Sequence, residues 1–586
     1  MRRSRKSNLT TRRHLIKAGG ALALGTAVSW PAAGRGVLAA QGTPFVPGVT
    51  PGSPEHAGGW TTKLPAVPSG MPFDPAITIS SNRSADSTIE FYKGDTIENN
   101  PFTRMVRESL GIDWRAAWTW ATNEDATTKL NTAIASGDLP DMMETVPLNI
   151  YQSMLEADLL EDITDVWERE ASPEFVKKPL EYGGAGRAWS YAEVDGRKMG
   201  IPYSEVAAQN DKLMWIRQDW LDQVGMEVPT TIDELSAVAT AFVEAELGQD
   251  GTTIGLVANG ALNSWYGSLD PVFGAFGVVP FGSGSFWTPE GDGLMFDGVR
   301  PQMKEALALV QEWYQNGIIS TDFFTLEPGD CDTPIAGNQA GLYFAPSFAA
   351  GWSVAASTAN DPEARWIFAD IPAGPDGRKG KAWSDPYPQT LFAFRKGFAH
   401  VDAVIRQVNW MAELTQVPEN RFHGWEGYNY AWDGDTITTD GLSTAPHKWF
   451  YGPIGTTGGS GTDPLREVRK NEWLESLRST PADQLDAMQR FLLEDPTGFQ
   501  TLQRQAYTTA VERSEADGIK NQFTTVPTAT MVSRGATLAD LEESTMLGII
   551  KGDLPIDEFD NFVSQWKDLG GDSITEEVNE WWSARA

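Results

Sequence analysis

The feature that most constrains this chain is a switching of hydrophobic period between Ala76 and Val146. "AITISSNR" alternates like a strand. "NNPFTRMVRESLGID" then moves to a helical period, with Asn100 as N-cap, Pro101 at the first helical position, Phe102, Met105, Val106 and Leu110 on one face, and Gly111 past the end. "DWRAAWTWA" returns to a strand, "EDATTKLNTAIASG" predicts a helix with Leu130 and Ile134 inward, and "LPDMMETV" a third strand. Such a succession buries its apolar faces by laying the strands in a parallel sheet with helices on both sides, so the class is α/β.

Helical signals recur downstream. "PTTIDELSAVATAFVEAEL" carries a capping box, Thr231 with Glu234, and offers Leu235, Val238, Ala239 and Phe242 to a core. "RPQMKEALALVQEWYQNG" offers Met303, Leu307, Val310 and Tyr314 and stops at Gly317. "TPADQLDAMQRFLLED" predicts a helix capped by Thr480 and started by Pro481. "IDEFDNFVSQWKDLGG" sets Phe559, Phe562, Val563, Trp566 and Leu569 on one stripe, and "SITEEVNEWW" follows. At 586 residues there is room for two or three domains.

The N-terminus reads as an export signal. Thr11-Arg12-Arg13-His14-Leu15-Ile16-Lys17 resembles the twin-arginine pattern, an apolar stretch too short for a membrane span follows, and "VLAAQ" supplies a cleavage site near Ala39 or Ala40. Residues 1–39 hold eight basic residues and no acids, so their removal takes the formal charge from −33 to −41. Such a surface repels nucleic acid phosphates. Cys331, the only cysteine, is far from the signal, which leaves no internal disulfide and no lipidation cysteine; the expectation is an exported chain without a lipid anchor. Residues 40–76, dense in Pro, Gly, Ser and Thr, read as a flexible tether.

Searches for reaction chemistry find little. His400, His423 and His447 stand in no zinc spacing, no GxSxG elbow occurs, and "GPDGRKGK" fails the phosphate-loop spacing. "DGDTITTDG" around Asp433 and Asp435 lacks the Glu that would complete a calcium loop. No catalytic residue, metal ligand or cofactor is therefore assigned. Carboxylate pairs of the glycosidase kind are uninformative among 79 acids.

What stands out is tryptophan: 23 residues against 13 tyrosines, many in Gly/Pro/Ser/Asp segments such as "HGWEGYNYAW", "NSWYGSLDP", "FAPSFAAGW" and "KAWSDPYPQ". A ring left in water forfeits much of the roughly 5 kcal/mol that burying about 200 Å² would supply. Rings kept in polar loops suit the apolar C–H faces of sugars, with carboxylates and amides for the hydroxyls. 

Several segments together carry a family resemblance: "TTKLNTAIASGDLPDMM", "DGRKMGIPY", "MWIRQDWLDQVGMEVPTTIDEL", "WYQNGIISTDFF", "IPAGPDGR" and "DEFDNFVSQWKDLGGDSITEEVNEWW". The chain resembles the extracellular solute-binding proteins of ABC importers, family 1, in the long subgroup with LipO-like and alginate-binding members. The resemblance implies a two-lobed periplasmic-binding-protein fold of type II, with hinge-crossing strands and a ligand cleft between the lobes. It implies lobe 1 at 77–204 and about 373–455, lobe 2 at 205–372 and about 456–586, and crossings near Gly200–Val206, near Phe368–Gly374 and in the middle 400s. The calcium loop of some members is not carried over, because "AELGQDGTTIGL" keeps only Asp250.

The resulting expectation is a non-enzymatic, monomeric receptor that captures a carbohydrate, with an oligosaccharide favoured, and presents it to the permease subunits of an ABC transporter. Trp383, Trp265, Trp425 and Tyr428 are the candidate platforms, Tyr203 lies near a crossing strand, and Asp385, Glu144 and Asn82 are the candidate polar partners. A secreted glycoside hydrolase and a surface glycan-binding protein are the alternatives.

Overall fold

Local chemistry starts the first layer. Asn100 caps the helix α1 (Pro101–Leu110) through its side chain, Thr103 answers in a capping box, and Gly111 ends it at φ 70°, a left-handed position that glycine adopts without strain. A Cβ on Gly111 would also strike the backbone of Phe73. The computed structural model describes residues 65–585 apart from 86–94, 122, 174–188, 190–191, 204–210, 282–285, 383–389, 417–430, 435, 439–464, 487–488, 491–492, 495–498 and 526.

Two sheets organise those residues. Their strands are β1 (Ile77–Ser84), β2 (Ile112–Trp120), β3 (Met142–Pro147), β4 (Ile201–Tyr203), β5 (Leu213–Arg217), β6 (Leu342–Ala345), β7 (Trp366–Ala369) and β8 (Thr390–Phe394). The first sheet runs β2-β1-β3-β8-β4. β1 lies parallel to both β2 and β3, with α1 and α2 (Asn123–Ser136) as crossovers, while β8 runs antiparallel to β3 and β4. Alternate residues feed two cores: Phe392 and Phe394 face the side of Phe102, Met105 and Trp114, whereas Leu391 and Ala393 face that of Leu130, Val146 and Tyr151.

The second sheet, β6-β5-β7, is antiparallel, and segment 254–257 adds parallel bridges to the β6 side. Every residue of β5 is buried, as apolar cores on both faces require. Met214 and Ile216 point to the larger core, which α3 (Ile232–Glu244) and α4 (Pro301–Gln315) help build, and Leu213 and Trp215 to the opposite one. The capping box of Thr231 and Glu234 forms, and Leu235, Val238, Ala239 and Phe242 are buried. In α4, Trp313 takes the buried place and Tyr314 is only half-buried.

β4 ends at Tyr203 in the first sheet and β5 begins at Leu213 in the second; after Ala382, β8 begins at Thr390, back in the first sheet. Segment 366–371 still belongs to the second body: β7 pairs with β5, and Ile371 lies in its core. Helix α5 (Val401–Gln416) then packs on the first sheet, after which α6 (Phe499–Asp517) inserts Ala506 and Ala510 beside β5 and β6. Helices α7 (Ala529–Lys551), α8 (Glu558–Trp566) and α9 (Asp572–Ser583) complete the larger core.

Three local expectations change. Residues 65–76 of the expected tether pack on the first body: the Trp410 indole donates to the Pro65 carbonyl at 3.2 Å, and Met71 and Phe73 join its core. Thr480 caps nothing, because its hydroxyl donates back to the Ser476 carbonyl. Asp486 and Gln489 exchange the capping hydrogen bonds instead, at 2.8 and 3.0 Å. Leu569 leaves the buried stripe and is exposed where a π turn and Gly570, at φ 131°, break the helical phase.

Candidate ligand site

The carboxyl ends of β1, β2 and β3 meet where the order 2-1-3 reverses, the position at which open α/β sheets leave a crevice. Asn82 sits there with its side chain on the main chain of β3: its carboxamide donates to the Glu144 carbonyl at 3.1 Å and accepts from the Glu144 N–H at 2.6 Å. It thus extends the β1–β3 pairing by one amide. On the other side of β1, register slips by one residue, since Ser81 pairs with Ala116 but Asn82 with Trp118. The bulge at Ala117 turns the strand over, so Trp114 lies in the core under α1 whereas Trp118 packs toward the one that holds Leu130 and Val146.

Arg83 and Glu144 close this edge as a buried pair, Nε to Oε1 3.6 Å. Burial pushes the Glu144 carboxyl up to about 7 while Arg83 pulls the other way, and burial lowers Arg83. Glu144 Oε1 has no hydrogen-bond partner, and neither has the indole nitrogen of Trp118 or Trp120.

The second sheet presents a different surface. Segment 254–257 and β6 run parallel, and each leads into a loop that carries a tryptophan. Asn259, fully buried, ties the first loop: its carboxamide N–H groups reach the carbonyls of Tyr266 at 2.7 Å and Gly267 at 2.8 Å. Gly267, at φ 60°, lies so close to Cys331 that a Cβ would fall 2.4 Å from Sγ. Trp265 on this loop and Trp352 after β6 stack with centroids 5.7 Å apart and planes within 9°. They are 42% and 36% exposed, among the few large apolar side chains left in solvent. Below them Tyr266 lies 4.8 Å from Trp352, and Phe348 flanks both indoles. The phenols of Tyr266 and Tyr343 share the Ser353 hydroxyl, at 2.8 Å for Tyr343. Burial raises both phenols.

Where the chain enters and leaves the second sheet, four charges are buried together. Lys212 Nζ lies 3.2 Å from Asp270 and Lys381 Nζ 3.6 Å from Asp211. Asp270 also accepts the Ala382 N–H at 2.7 Å. Burial raises Asp211 to about 6 against the pull of the two lysines. Two acids and two lysines cancel, which is the condition for holding charge out of water.

Among the sequence candidates, Trp265 lies in the exposed stack, and Glu144 and Asn82 stand side by side at the first edge. Tyr203 is on β4, its backbone paired with Thr390. Trp383, Asp385, Trp425 and Tyr428 lie outside the described residues. Trp352, Phe348, Arg83, Trp118 and Trp120 were not chosen. The W-T-W ending of β2 did carry a signal, since i and i+2 share a face at a strand's carboxyl end. Among the described residues no group of three His, Cys, Asp or Glu could hold a metal ion, and no helix is long and apolar enough to cross a membrane.

Comparisons with known proteins agree with this architecture. A family model described as bacterial extracellular solute-binding protein matches residues 115–393. The chain is 23% identical over 476 residues to the polygalacturonan/rhamnogalacturonan-binding protein YtcQ of Bacillus subtilis, covering 79% of this chain and 84% of that one. Its fold resembles that of the alginate-binding protein AlgQ2, with a TM-score of 0.59 at 14% identity over 87% of this chain and 99% of the other. The Streptococcus pneumoniae ABC-transporter substrate-binding protein FusA, solved with kestose, gives 0.59 and 14% over 87% and 100%. With its two sheet-centred bodies, the chain shares the fold of these solved structures, and over residues 115–393 it is similar to the bacterial extracellular solute-binding proteins.

Proposed function

We propose that this protein is the substrate-binding component of an ABC importer, capturing a carbohydrate, an oligosaccharide in particular, between its lobes and delivering it to the membrane permease. The observation that carries this reading is the stacked pair Trp265 and Trp352, exposed above a floor of buried Tyr266 and Tyr343 with half-buried Phe348 beside them. Flat, solvent-facing indoles on a braced base suit the C–H face of a pyranose or furanose ring. The names of YtcQ and AlgQ2 as binding proteins for polygalacturonan/rhamnogalacturonan and for alginate, and the kestose bound to FusA, support the same ligand class. They support binding without catalysis as well.

On this reading the lobes are the bodies built on the two sheets, and the hinge lies where the chain leaves one sheet for the other. Capture works by differential affinity: the ligand favours closure only by as much as it binds the closed form better. A micromolar receptor needs about 8 kcal/mol net, which several stacked rings and hydrogen bonds can supply. Trp383, Trp425, Tyr428, Tyr203 and Asp385 remain proposed contacts from the same argument. Export through the twin-arginine route, a form without a lipid anchor, and a monomeric state complete the proposal.

The test is titration calorimetry of the purified protein against an oligosaccharide panel, with product analysis afterwards. Saturable binding with intact sugar, weakened at least tenfold by Trp265→Ala or Trp352→Ala, is the expected result. Cleaved sugar, or alanine variants that bind like the parent, would overturn it.

A further inference from the structure

Resting on the carbohydrate reading, we propose that the ligand is an uncharged oligosaccharide, read through its hydroxyls, and that the closed pair Arg83–Glu144 rejects uronic acids. A sugar carboxylate calls for a cation free to meet it, best a guanidinium in bidentate geometry. Among the described residues, a cation at the carboxyl edge of β1 and β3 is Arg83, only 8% exposed and already facing Glu144 at 3.6 Å. Its charge is answered within the protein. An arriving uronate would meet a neighbouring carboxylate with no net positive charge to offset it.

The unmet hydrogen bonds at the same edge point to the alternative ligand. Trp118 Nε1 and Trp120 Nε1 are donors and Glu144 Oε1, which has only the 3.6 Å ion-pair contact with Arg83, is an acceptor; all are buried and none is hydrogen-bonded. Beside Tyr266 on the second body, Asp332 Oδ1 is a further buried acceptor without one. Buried polar atoms left unpaired are uncommon in folded proteins and mark places where another group completes the bond. A hydroxyl both gives and accepts, so a neutral sugar serves both kinds of atom. A carboxylate only accepts, and it is repelled by two of the four. The formal charge of the chain, −33, adds a long-range field that disfavours polyanions.

The experiment is a competition series at pH 7.5 and constant ionic strength. Neutral malto-, galacto-, xylo-, arabino- and fructo-oligosaccharides are set against oligogalacturonides, oligoglucuronides and alginate oligomers of matched length. The expected result is that the best neutral sugar binds at least a hundredfold tighter than any uronic one. In Glu144→Gln that ratio should fall at least tenfold, because an uncharged amide no longer repels the carboxylate. A uronic oligomer that matches or exceeds every neutral sugar overturns this inference and leaves the carbohydrate reading standing. An unchanged ratio in Glu144→Gln overturns the role of the pair. Binding of no carbohydrate at all overturns the reading beneath it.

Discussion

The aromatic edges of the two sheets handle polarity in opposite ways. Beneath Trp265 and Trp352 the phenols of Tyr266 and Tyr343 share the Ser353 hydroxyl, so the exposed stack rests on a floor whose hydroxyls are all engaged. At the ends of β1, β2 and β3 the rings of Trp118 and Trp120 are half-buried, and the polar atoms around them, Glu144 Oε1 and both indole nitrogens, lack hydrogen bonds. A satisfied floor keeps its shape with or without ligand. An edge with unmet bonds gains most when a group arrives to fill them. The difference suggests a division of labour, with contact area supplied by the second body and chemical choice by the first.

The contrast breaks most visibly at Arg83. Arg83→Met leaves Glu144 buried without its countercharge, and urea unfolding at pH 8 should show a loss of about 3–5 kcal/mol. The loss should shrink toward pH 5, where Glu144 takes up a proton and the buried charge disappears. A cost at pH 8 no larger than that of removing the Tyr343 hydroxyl would mean that the pair contributes nothing special to the first edge.

Glu144→Gln sharpens the same point through pH. Burial holds this carboxyl at about 7 in the folded chain, against 4.5 for an ordinary glutamate. Folding therefore takes up a proton between those values, and the group's contribution to stability is most favourable below 4.5, declines as pH rises, and levels off above 7. The whole decline is about 3 kcal/mol. The glutamine variant should match the parent near pH 4 and exceed it by about that amount at pH 8. Parallel stability curves from pH 4 to 8 would show that Glu144 does not titrate as a buried acid. Tyr343→Phe, in contrast, should cost about 1–2 kcal/mol for one hydroxyl of the shared chain, with no pH dependence over that range.

Much of the scaffold was legible because its signals are local. The caps at Asn100 and Thr231, and the periods of β1, α1 and α3, involve residues within one or two turns of each other. Thr480 misled because Asp486 offers the same chemistry six residues later, and only Asp486 has its glutamine in reach. The site was less legible, since its geometry is made by residues far apart in sequence. Glu144 stands 61 positions from Arg83, and nothing in either neighbourhood announces the pairing. Bulging at Ala117 inverts the parity of β2, so counting alternate residues from Trp114 assigns Trp118 to the wrong face. Trp352 was visible among the loop aromatics, but its stacking partner is set by the bridges between segment 254–257 and β6.

The smallest expected effect is also the most discriminating. Phenylalanine keeps a ring but removes the indole N–H, whereas leucine removes the ring as well. At Trp352 the N–H has no assigned work, so Trp352→Phe should weaken binding less than threefold, about 0.6 kcal/mol, and Trp352→Leu should cost clearly more. At Trp118 the unpaired nitrogen is the feature of interest, so phenylalanine should already cost nearly as much as leucine. Calorimetry of the four variants on one neutral oligosaccharide separates area from hydrogen bonding at each edge. The same ranking at both positions would mean that the two bodies grip the ligand in the same way, and the contrast drawn from their polar atoms would fall.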